Sequence, residues 1–322
     1  MYNGDKISIS ALGNLSISSQ DTAFRSHGLE MVIMGKINPN AMVMAYVTNH
    51  LSGGTSAEEF YVNFENPSKF ISSYKFGYFR PNFGIINTQH EHTYNFMNSP
   101  KSISRLFGNH GWASLGASSQ ITLPLKWDSY INISILQGSF GENVNLNSHN
   151  HNQAISSSDS VGGFSYLARL DQSYFITKST NIALGLNYLS GRNKESRSVD
   201  FVLKSRADKY QYFLIQSEYY SSKISSKNHG IAFHPDEELA TGYVIVGKQF
   251  DKKYHFGFIA DHFSYRLMGE KSAALGFYGA IAPFDDSIVF RIKYVNESDT
   301  INGNYLALSA VWSLGSHKPQ RY

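Results

Sequence analysis

Residues 182–188 read IALGLNY, and the alternation within this stretch decides the fold. Large apolar side chains occupy positions 182, 184, 186 and 188, whereas small or polar residues occupy the positions between them. Side chains of an extended strand point alternately to its two faces, so this stretch has one apolar face and one small or polar face. The pattern predicts a strand that is buried or lipid-covered on one side only.

The same alternation recurs along the whole chain. Clear examples are residues 166–171, 274–281, 290–294 and 306–314. About sixteen such segments can be counted, which leaves roughly 20 residues for each strand of 9 to 11 residues and its connection. We therefore predict an all-β protein, in which residues 1–322 form a single transmembrane antiparallel β-barrel of about 16 strands.

The connections between these segments alternate in length. Short, turn-like connections are predicted at residues 38–40, 124–126, 177–179, 207–209, 251–253 and 283–286. Longer polar connections lie between them, for example at residues 18–26, 142–158 and 222–236. Short periplasmic turns and long extracellular loops are typical of outer-membrane barrels. A soluble β-sandwich would have to account for this regular difference.

The composition agrees with a barrel and excludes several other classes of protein. Only 16% of the 322 residues are charged, against roughly 25% in soluble domains. No stretch approaches the ~18 consecutive apolar residues that predict a spanning helix, and the mean hydropathy is −0.29. The net charge of +3 is too small to indicate nucleic acid as a partner. Residues 1–5 lack signal-peptide features, so we expect the numbering to start on a processed or recloned chain.

Aromatic residues are frequent and lie close to the predicted turns. They make up 14% of the chain, with 21 Tyr and 22 Phe. Trp127 follows the turn at 124–126, and Phe250 and Tyr254 flank the turn at 251–253. Rings at these positions are typical of the aromatic girdles at the two membrane interfaces. The alternative is that Tyr and Phe are frequent because they favour strands.

The region from residue 58 to residue 125 carries a resemblance to a known family. It contains EEFYVNF at 58–64, YKFGYFRPNFG at 74–84 and HEH at 90–92, followed by the strand around Gly116. This order resembles the superfamily of phosphate-selective porins O and P, in which a strand with a similar Phe-x-Pro-x-Phe-Gly pattern precedes a long loop. The end of the chain, from Trp312 to Tyr322, resembles the final strand of such porins. The resemblance implies a sixteen-stranded barrel, a trimer, and a pathway for anions or small solutes.

Several basic side chains are predicted to point into the lumen. The alternation places them on the polar face, and they are Lys75, Arg169, Lys204, Arg206, Arg291 and Lys293. Basic rings in a water-filled pore favour anions. Asp171, Asp200 and Glu218 share the same face, so the alternative is a lumen of mixed charge.

Residues 81–110 form a connection too long to be a turn and too apolar to extend freely into water. We expect this connection to fold back into the barrel as a constriction, to which Arg80, His90, Glu91, His92 and Tyr94 contribute. The alternative is a surface loop that packs on a neighbouring subunit or on its own strands.

Histidines in the same connection raise the question of a metal. His90, Glu91 and His92, with His110 nearby in sequence, could provide nitrogen and oxygen ligands. We favour a hydrogen-bonding role for these residues and predict neither a metal nor a cofactor. No Gly-x-Ser-x-Gly pattern, no Walker-type phosphate loop and no cysteine occurs, so the sequence does not indicate an enzyme.

The sequence thus favours a passive porin of the bacterial outer membrane. Its expected partners are outer-membrane lipid and lipopolysaccharide, two further copies in a homotrimer, and small solutes or anions. The alternative is a barrel with a closed lumen that serves as a scaffold, with loops such as 142–158 and 222–236 binding a partner. A TonB-dependent transporter is disfavoured because its plug and ~22 strands need a longer chain.

Overall fold

Sixteen antiparallel strands form one closed barrel in the computed structural model of this protein. The structure describes residues 7–51, 53–65, 68, 70–108, 110–138, 163–191, 194–224, 237–284, 287–298 and 303–317. The predicted loop at 142–158, residues 225–236 of the loop predicted at 222–236, and residues 318–322 lie outside these ranges. Residues 222–224 are part of a strand.

The strands are numbered in chain order. They are β1 Ile7–Ser18, β2 Leu29–Asn38, β3 Ala41–Asn49, β4 Thr55–Glu65, β5 Ile71–Phe79, β6 Ser114–Thr122, β7 Asp128–Gln137, β8 Phe164–Phe175, β9 Thr180–Ser190, β10 Lys194–Arg206, β11 Tyr212–Ile224, β12 Glu237–Phe250, β13 Tyr254–Tyr265, β14 Lys271–Ile281, β15 Ile288–Glu297 and β16 Tyr305–Leu314. One short helix, α1, covers Lys101–Phe107. The prediction of an all-β barrel with about 16 strands is confirmed.

Every strand pairs with its neighbours in sequence, and β1 pairs with β16 to close the barrel. The closing register runs from Ala11 opposite Leu314 to Ser18 opposite Ala307. Closure leaves no strand edge unpaired, which a lipid environment requires because it offers no water to backbone groups. No described helix is long and apolar enough to cross a membrane.

The alternation predicted from sequence separates the two faces of the wall. Apolar side chains such as Leu186, Phe258 and Leu275 are 47%, 63% and 68% exposed on the outside. Polar side chains such as Arg169 and Asp200 are buried on the inside. An exterior of exposed apolar residues around a polar interior is the reverse of a soluble barrel. The outer surface is therefore a lipid-facing surface.

The two rims of the barrel differ in their connections. The rim that we name the turn rim carries the six predicted short turns, for example between Asn38 and Ala41 and between Phe250 and Tyr254. The opposite rim, the loop rim, carries the connection from Phe79 to Ser114, and β7, β8, β11 and β12 each have one end there. The loop rim also carries a short connection, at residues 266–270 between β13 and β14, because barrel closure requires neighbouring strands to be joined but does not fix the length of the connection.

Substituting an outward side chain tests the lipid-facing surface. Phe258 lies in the middle of β13, and Tyr254 lies at the turn rim of the same strand. We expect Phe258→Arg to lower the free energy of unfolding by about 2–4 kcal/mol and Tyr254→Arg by about 0–1 kcal/mol, because the cost of a charge rises towards the bilayer centre. Denaturant unfolding of the variants in lipid vesicles measures both values. Equal losses would contradict the assignment of this surface to lipid.

Candidate functional site

The connection between β5 and β6 lies inside the barrel, and we name residues 80–113 the inner segment. It contains 3-10 turns at Ile86–Thr88 and Glu91–Thr93, followed by α1. Its polar groups bond to side chains of the inner wall on several strands, including Glu218 of β11 and Asp261 of β13. The inner segment therefore lies across the lumen.

Apolar side chains of the inner segment pack against the inner wall. Phe83 and Leu106 are fully buried, and they belong to a cluster with wall residues such as Tyr220 and Phe263. Phe83 contacts the Tyr220 ring at a centroid distance of 5.5 Å. Burying one such side chain contributes about 1.5–3 kcal/mol, which accounts for the position of this apolar chain within the lumen.

Glu218, on the inner wall of the barrel, binds the inner segment through hydrogen bonds. Its carboxylate accepts hydrogen bonds from the backbone N–H of Ile86 at 2.8 Å and from the hydroxyls of Tyr220 and Tyr243. Gly84 has a positive φ of 75° and lies so close that a Cβ there would overlap both Glu218 and Tyr220. The backbone can reach the wall at this point because residue 84 is glycine.

Asn87 joins the two ends of the inner segment. Its Nδ2 donates to the carbonyl of Pro81 at 3.0 Å and to that of Trp112 at 3.2 Å. The backbone N–H of Trp112 donates to Asn87 Oδ1 at 2.7 Å. One buried amide therefore closes the segment into a loop.

The helix α1 is held on the wall near β13 and β15 by ionic contacts. The backbone N–H of Lys101 donates to Asp261 Oδ2 at 2.8 Å, and the Lys101 ammonium lies 3.1 Å from the Glu297 carboxylate. Arg105 Nη2 lies 2.6 Å from Glu270. These contacts connect α1 to β13, β15 and the β13–β14 connection.

A β-bulge in β4 gives the site two adjacent carboxylates. Tyr46 is opposite Glu59 while Val47 is opposite Ala57, so Glu58 is the extra residue. A bulge re-aims a side chain, and here both Glu58 and Glu59 contact groups of the inner segment. Glu59 accepts from the backbone N–H of Arg80 at 2.9 Å, and Glu58 Oε2 lies 3.1 Å from Arg80 Nη2.

His90 and His92 lie beside these carboxylates. His90 Nε2 is 2.8 Å from Glu59 Oε1, and its ring stacks on Tyr46 at 4.0 Å. His92 Nδ1 is 3.0 Å from Glu30 Oε2 of β2, and its Nε2 is 2.9 Å from His317 Nε2. Both histidines are almost fully buried, with exposures of 6% and 7%.

The other two predicted constriction residues have separate roles. Glu91 lies 3.6 Å from His27 Nε2, and together with His110 these residues form a second, more exposed group of potential metal ligands. The Tyr94 hydroxyl donates to the carbonyls of Ile86 and Gln89, both at 3.2 Å, and so stays within the inner segment.

The protonation of the three buried groups of the inner segment depends on different neighbours. Burial and Arg80 by themselves lower the pKa of His90, but the adjacent Glu58 and Glu59 carboxylates outweigh them and raise it. Burial lowers the pKa of His92, and Glu30 offsets this only in part. Burial raises the pKa of Tyr94. The inner segment thus has one histidine that favours the charged form and one that favours the neutral form.

The six basic residues predicted to face the lumen all occupy inward positions. Arg169 pairs with both oxygens of Asp200, at 2.6 and 2.9 Å, and also with Asp171. Arg291 donates to the carbonyl of His92, and the Lys293 ammonium lies 3.4 Å from the carbonyl of Asn98. Arg291 and Lys293 are thus covered by the inner segment, and Arg169 is neutralised by its partners.

Of the remaining three basic residues, Lys204 and Arg206 lie at the turn-rim end of β10, and Lys75 lies in the middle of β5. The Lys75 ammonium is 4.5 Å from the centre of the Tyr61 ring, and that of Lys204 is 4.2 Å from the centre of the Tyr212 ring. Arg206 is exposed at the end of β10. Among the described residues, no carboxylate forms a salt bridge with any of the three, so their charges remain uncompensated at short range.

Two cavities lie on either side of the inner segment. A cavity of about 670 Å³ on the turn-rim side is lined by Lys75, Asn132 and Tyr212, among others. A smaller one of about 50 Å³ on the loop-rim side is lined by His27 and His110, among others. Arg80, His90 and Tyr94 border both cavities. These three side chains therefore form the layer between the two cavities.

Some residues of the site were not predicted from the sequence. Glu30, Glu59, Glu218, Asp261 and His317 hold the inner segment, yet all lie far from it along the chain. Two signals were usable: alternation places Glu218 on the inner face, and the adjacent glutamates at 58–59 interrupt strict alternation and indicate a bulge.

Comparisons with known proteins agree with the fold. No protein-family model matches the chain. An uncharacterized protein of Aquifex aeolicus (strain VF5) is 22% identical over 258 residues, which covers 74% of this chain and 54% of that protein. The chain thus spans about half the length of this relative.

Solved structures match almost the whole chain. The outer membrane channel DcaP of Acinetobacter baumannii has a TM-score of 0.58 at 12% identity and covers 96% of both chains. The anion-selective porin from Comamonas acidovorans has a TM-score of 0.60 at 8% identity and covers 96% of this chain and 99% of the porin. OprB of Pseudomonas putida has a TM-score of 0.57 at 9% identity, with coverage of 97% and 93%. The fold is that of porin-like barrels, which, with the lipid-facing exterior, places the protein in the bacterial outer membrane.

Proposed function

We propose that this protein is a porin-type channel that allows small solutes to diffuse across the outer membrane, with a preference for anions. The observation that carries the proposal is the cavity of about 670 Å³ that remains in the lumen beside the inner segment. Its lining includes polar side chains such as Asn132 and Gln216 and the ammonium of Lys75. In this proposal the chain acts through passage of solutes and not as an enzyme.

The preference for anions follows from which inward charges are compensated. Arg80 and Arg169 are paired with carboxylates. Lys75, Lys204 and Arg206 have no salt bridge among the described residues, and Lys75 lines the cavity of about 670 Å³. Uncompensated basic groups in a narrow aqueous pathway raise the local concentration of anions.

The setting of the channel is also part of the proposal. Residues 1–322 act as one barrel domain in contact with outer-membrane lipid and lipopolysaccharide. A homotrimer is proposed by analogy, since one similar structure is the trimer form of OmpT of Vibrio cholerae. The motif at residues 74–84 supports kinship with the phosphate-selective porins O and P.

Single-channel recording of the purified protein in a planar bilayer tests this function. We expect stable conductance steps and, across a salt gradient, a reversal potential with the sign of anion selectivity. Lys75→Glu is expected to move the reversal potential towards cation selectivity. Lys271→Glu is the control, because Lys271 lies at an exposed, outward position of β14 and lines neither cavity.

The outcomes separate the parts of the proposal. Absence of conductance from folded, heat-modifiable protein would overturn the channel and favour a scaffold that acts through its loops. Conductance with unchanged selectivity in Lys75→Glu would leave the channel in place and overturn the anion preference.

A further inference from the structure

Glu30, His90 and His92 bring three potential metal ligands together between the wall and the inner segment. One ligand atom from each lies within 4.8 Å of the others. Glu30 belongs to β2, whereas the two histidines flank Glu91 in the second 3-10 turn. The three side chains are well shielded from water, and both histidines are more than nine-tenths buried.

The hydrogen bond of His90 to Glu59 determines which ring nitrogen faces the cluster. A carboxylate only accepts, so Nε2 of His90 carries the proton that it donates to Glu59 Oε1 at 2.8 Å. In the neutral ring, Nδ1 points its lone pair towards Glu30 Oε1 at 3.7 Å and Glu58 Oε2 at 3.4 Å, where the carboxylates that raise the pKa of His90 also favour a metal cation. Within the described ranges neither Nδ1 of His90 nor Oε1 of Glu30 makes a hydrogen bond, although both atoms are buried.

Two buried atoms, His90 Nδ1 and Glu30 Oε1, therefore face each other at 3.7 Å without a hydrogen bond, and a cation bound between them would satisfy both. In a tetrahedral site with metal–ligand distances of 2.0–2.2 Å, neighbouring ligand atoms are about 3.3–3.6 Å apart. The measured 3.4 Å lies within this range and the measured 3.7 Å lies just above it, and both exceed ordinary hydrogen-bond distances.

We propose that Glu30, His90 and His92 bind a divalent transition-metal ion of the zinc type, with Glu58 as the fourth ligand. Two imidazoles with carboxylates suit zinc and related ions, whereas magnesium and calcium prefer oxygen ligands alone. Glu59 supplies the carboxylate that orients a metal-bound histidine through its other nitrogen. This assignment replaces the purely hydrogen-bonding role that the sequence favoured for His90 and His92.

The ion would join parts of the chain that are far apart in sequence. It links β2 and the β4 bulge to the inner segment, next to the layer of Arg80, His90 and Tyr94 that separates the two cavities. Metal binding would hold this layer in place. The proposal of this metal site does not rest on the proposed channel function, because it is argued only from the positions of the ligand side chains.

Calorimetric titration of the folded, metal-free, full-length protein in detergent with Zn²⁺ tests the proposal. We expect a tight site whose affinity falls more than about tenfold in Glu30→Gln and in His92→Gln, since each substitution removes a ligand. Heat-modifiable migration on gels shows whether each variant retains its barrel. An absence of Zn²⁺ binding by the unaltered protein would overturn the proposal.

The second group, His27, Glu91 and His110, provides the matched control. The double variant H27Q/H110Q is expected to keep the tight site. X-ray absorption of this variant loaded with Zn²⁺ should show two imidazole ligands, a result that does not depend on the folding of Glu30→Gln or His92→Gln. Loss of tight binding in H27Q/H110Q, with binding retained in His92→Gln, would assign the ion to the exposed group and overturn the proposal.

Discussion

Replacing the inner segment, residues 80–113, with a five-residue turn is expected to increase the single-channel conductance several-fold. Phe79 and Ser114 are paired directly across β5 and β6, so a short hairpin connection can join the two strands without disturbing the barrel ladder. The apolar side chains that cross the lumen, such as Phe83 and Leu106, would then be absent. Planar bilayer recording measures the change.

The control for this replacement keeps the lumen unchanged. The connection at residues 176–179 joins neighbouring strands, β8 and β9, at the turn rim, and a five-residue turn there should leave the conductance within the range of the unaltered protein. The shortened inner segment should also lower the thermal stability, because wall residues such as Leu136 and Leu189 lose their apolar cover. Unchanged conductance after the replacement would show that the inner segment does not restrict the pathway.

Arg169→Met is expected to lower the free energy of unfolding by about 3–5 kcal/mol, the cost of leaving buried carboxylates without their cation. Arg169 binds both oxygens of Asp200 and also contacts Asp171 and Asn187, and Asp200 is only 4% exposed. Denaturant unfolding of the barrel in lipid vesicles measures the loss.

Two further variants test whether the loss of stability comes from the buried ion pair of Arg169. Arg197→Met removes an exposed pair with Glu195 and should cost no more than about 1 kcal/mol. The double variant R169M/D200N should recover part of the stability, because it removes the unpaired charge along with its partner. Equal losses for Arg169→Met and Arg197→Met would contradict the assignment of the Arg169 pair to a buried network.

The strands of the barrel wall could be predicted from sequence, because the alternation within each strand shows which residues face the lipid and which face the lumen. Period-two alternation placed Arg169, Arg291 and Lys293 on the inner face, and the structure has all three there. The short turns at the turn rim were also recognisable from turn residues alone.

The contacts of the inner segment could not be predicted, because they depend on three-dimensional closure. Glu218 and Ile86 are 132 positions apart in sequence, and Glu30 and His92 are 62 positions apart. Alternation shows that Glu218 points inward but not which inner-segment group it meets. The bulge that turns Glu58 inward breaks the rule on which the prediction of the wall depends.

The contacts of His92 and Arg291 have a consequence for assembly. Barrel closure brings β1 against β16, and the inner segment touches both sides of that seam: Glu30 of β2 on one side, and Arg291 of β15 and His317 beyond β16 on the other. A chain that closes the seam first would have to bring a bulky apolar loop into a finished cylinder. This step is avoided if the inner segment packs against the sheet before β1 and β16 pair. The inner segment then serves as a template around which the two terminal strands meet.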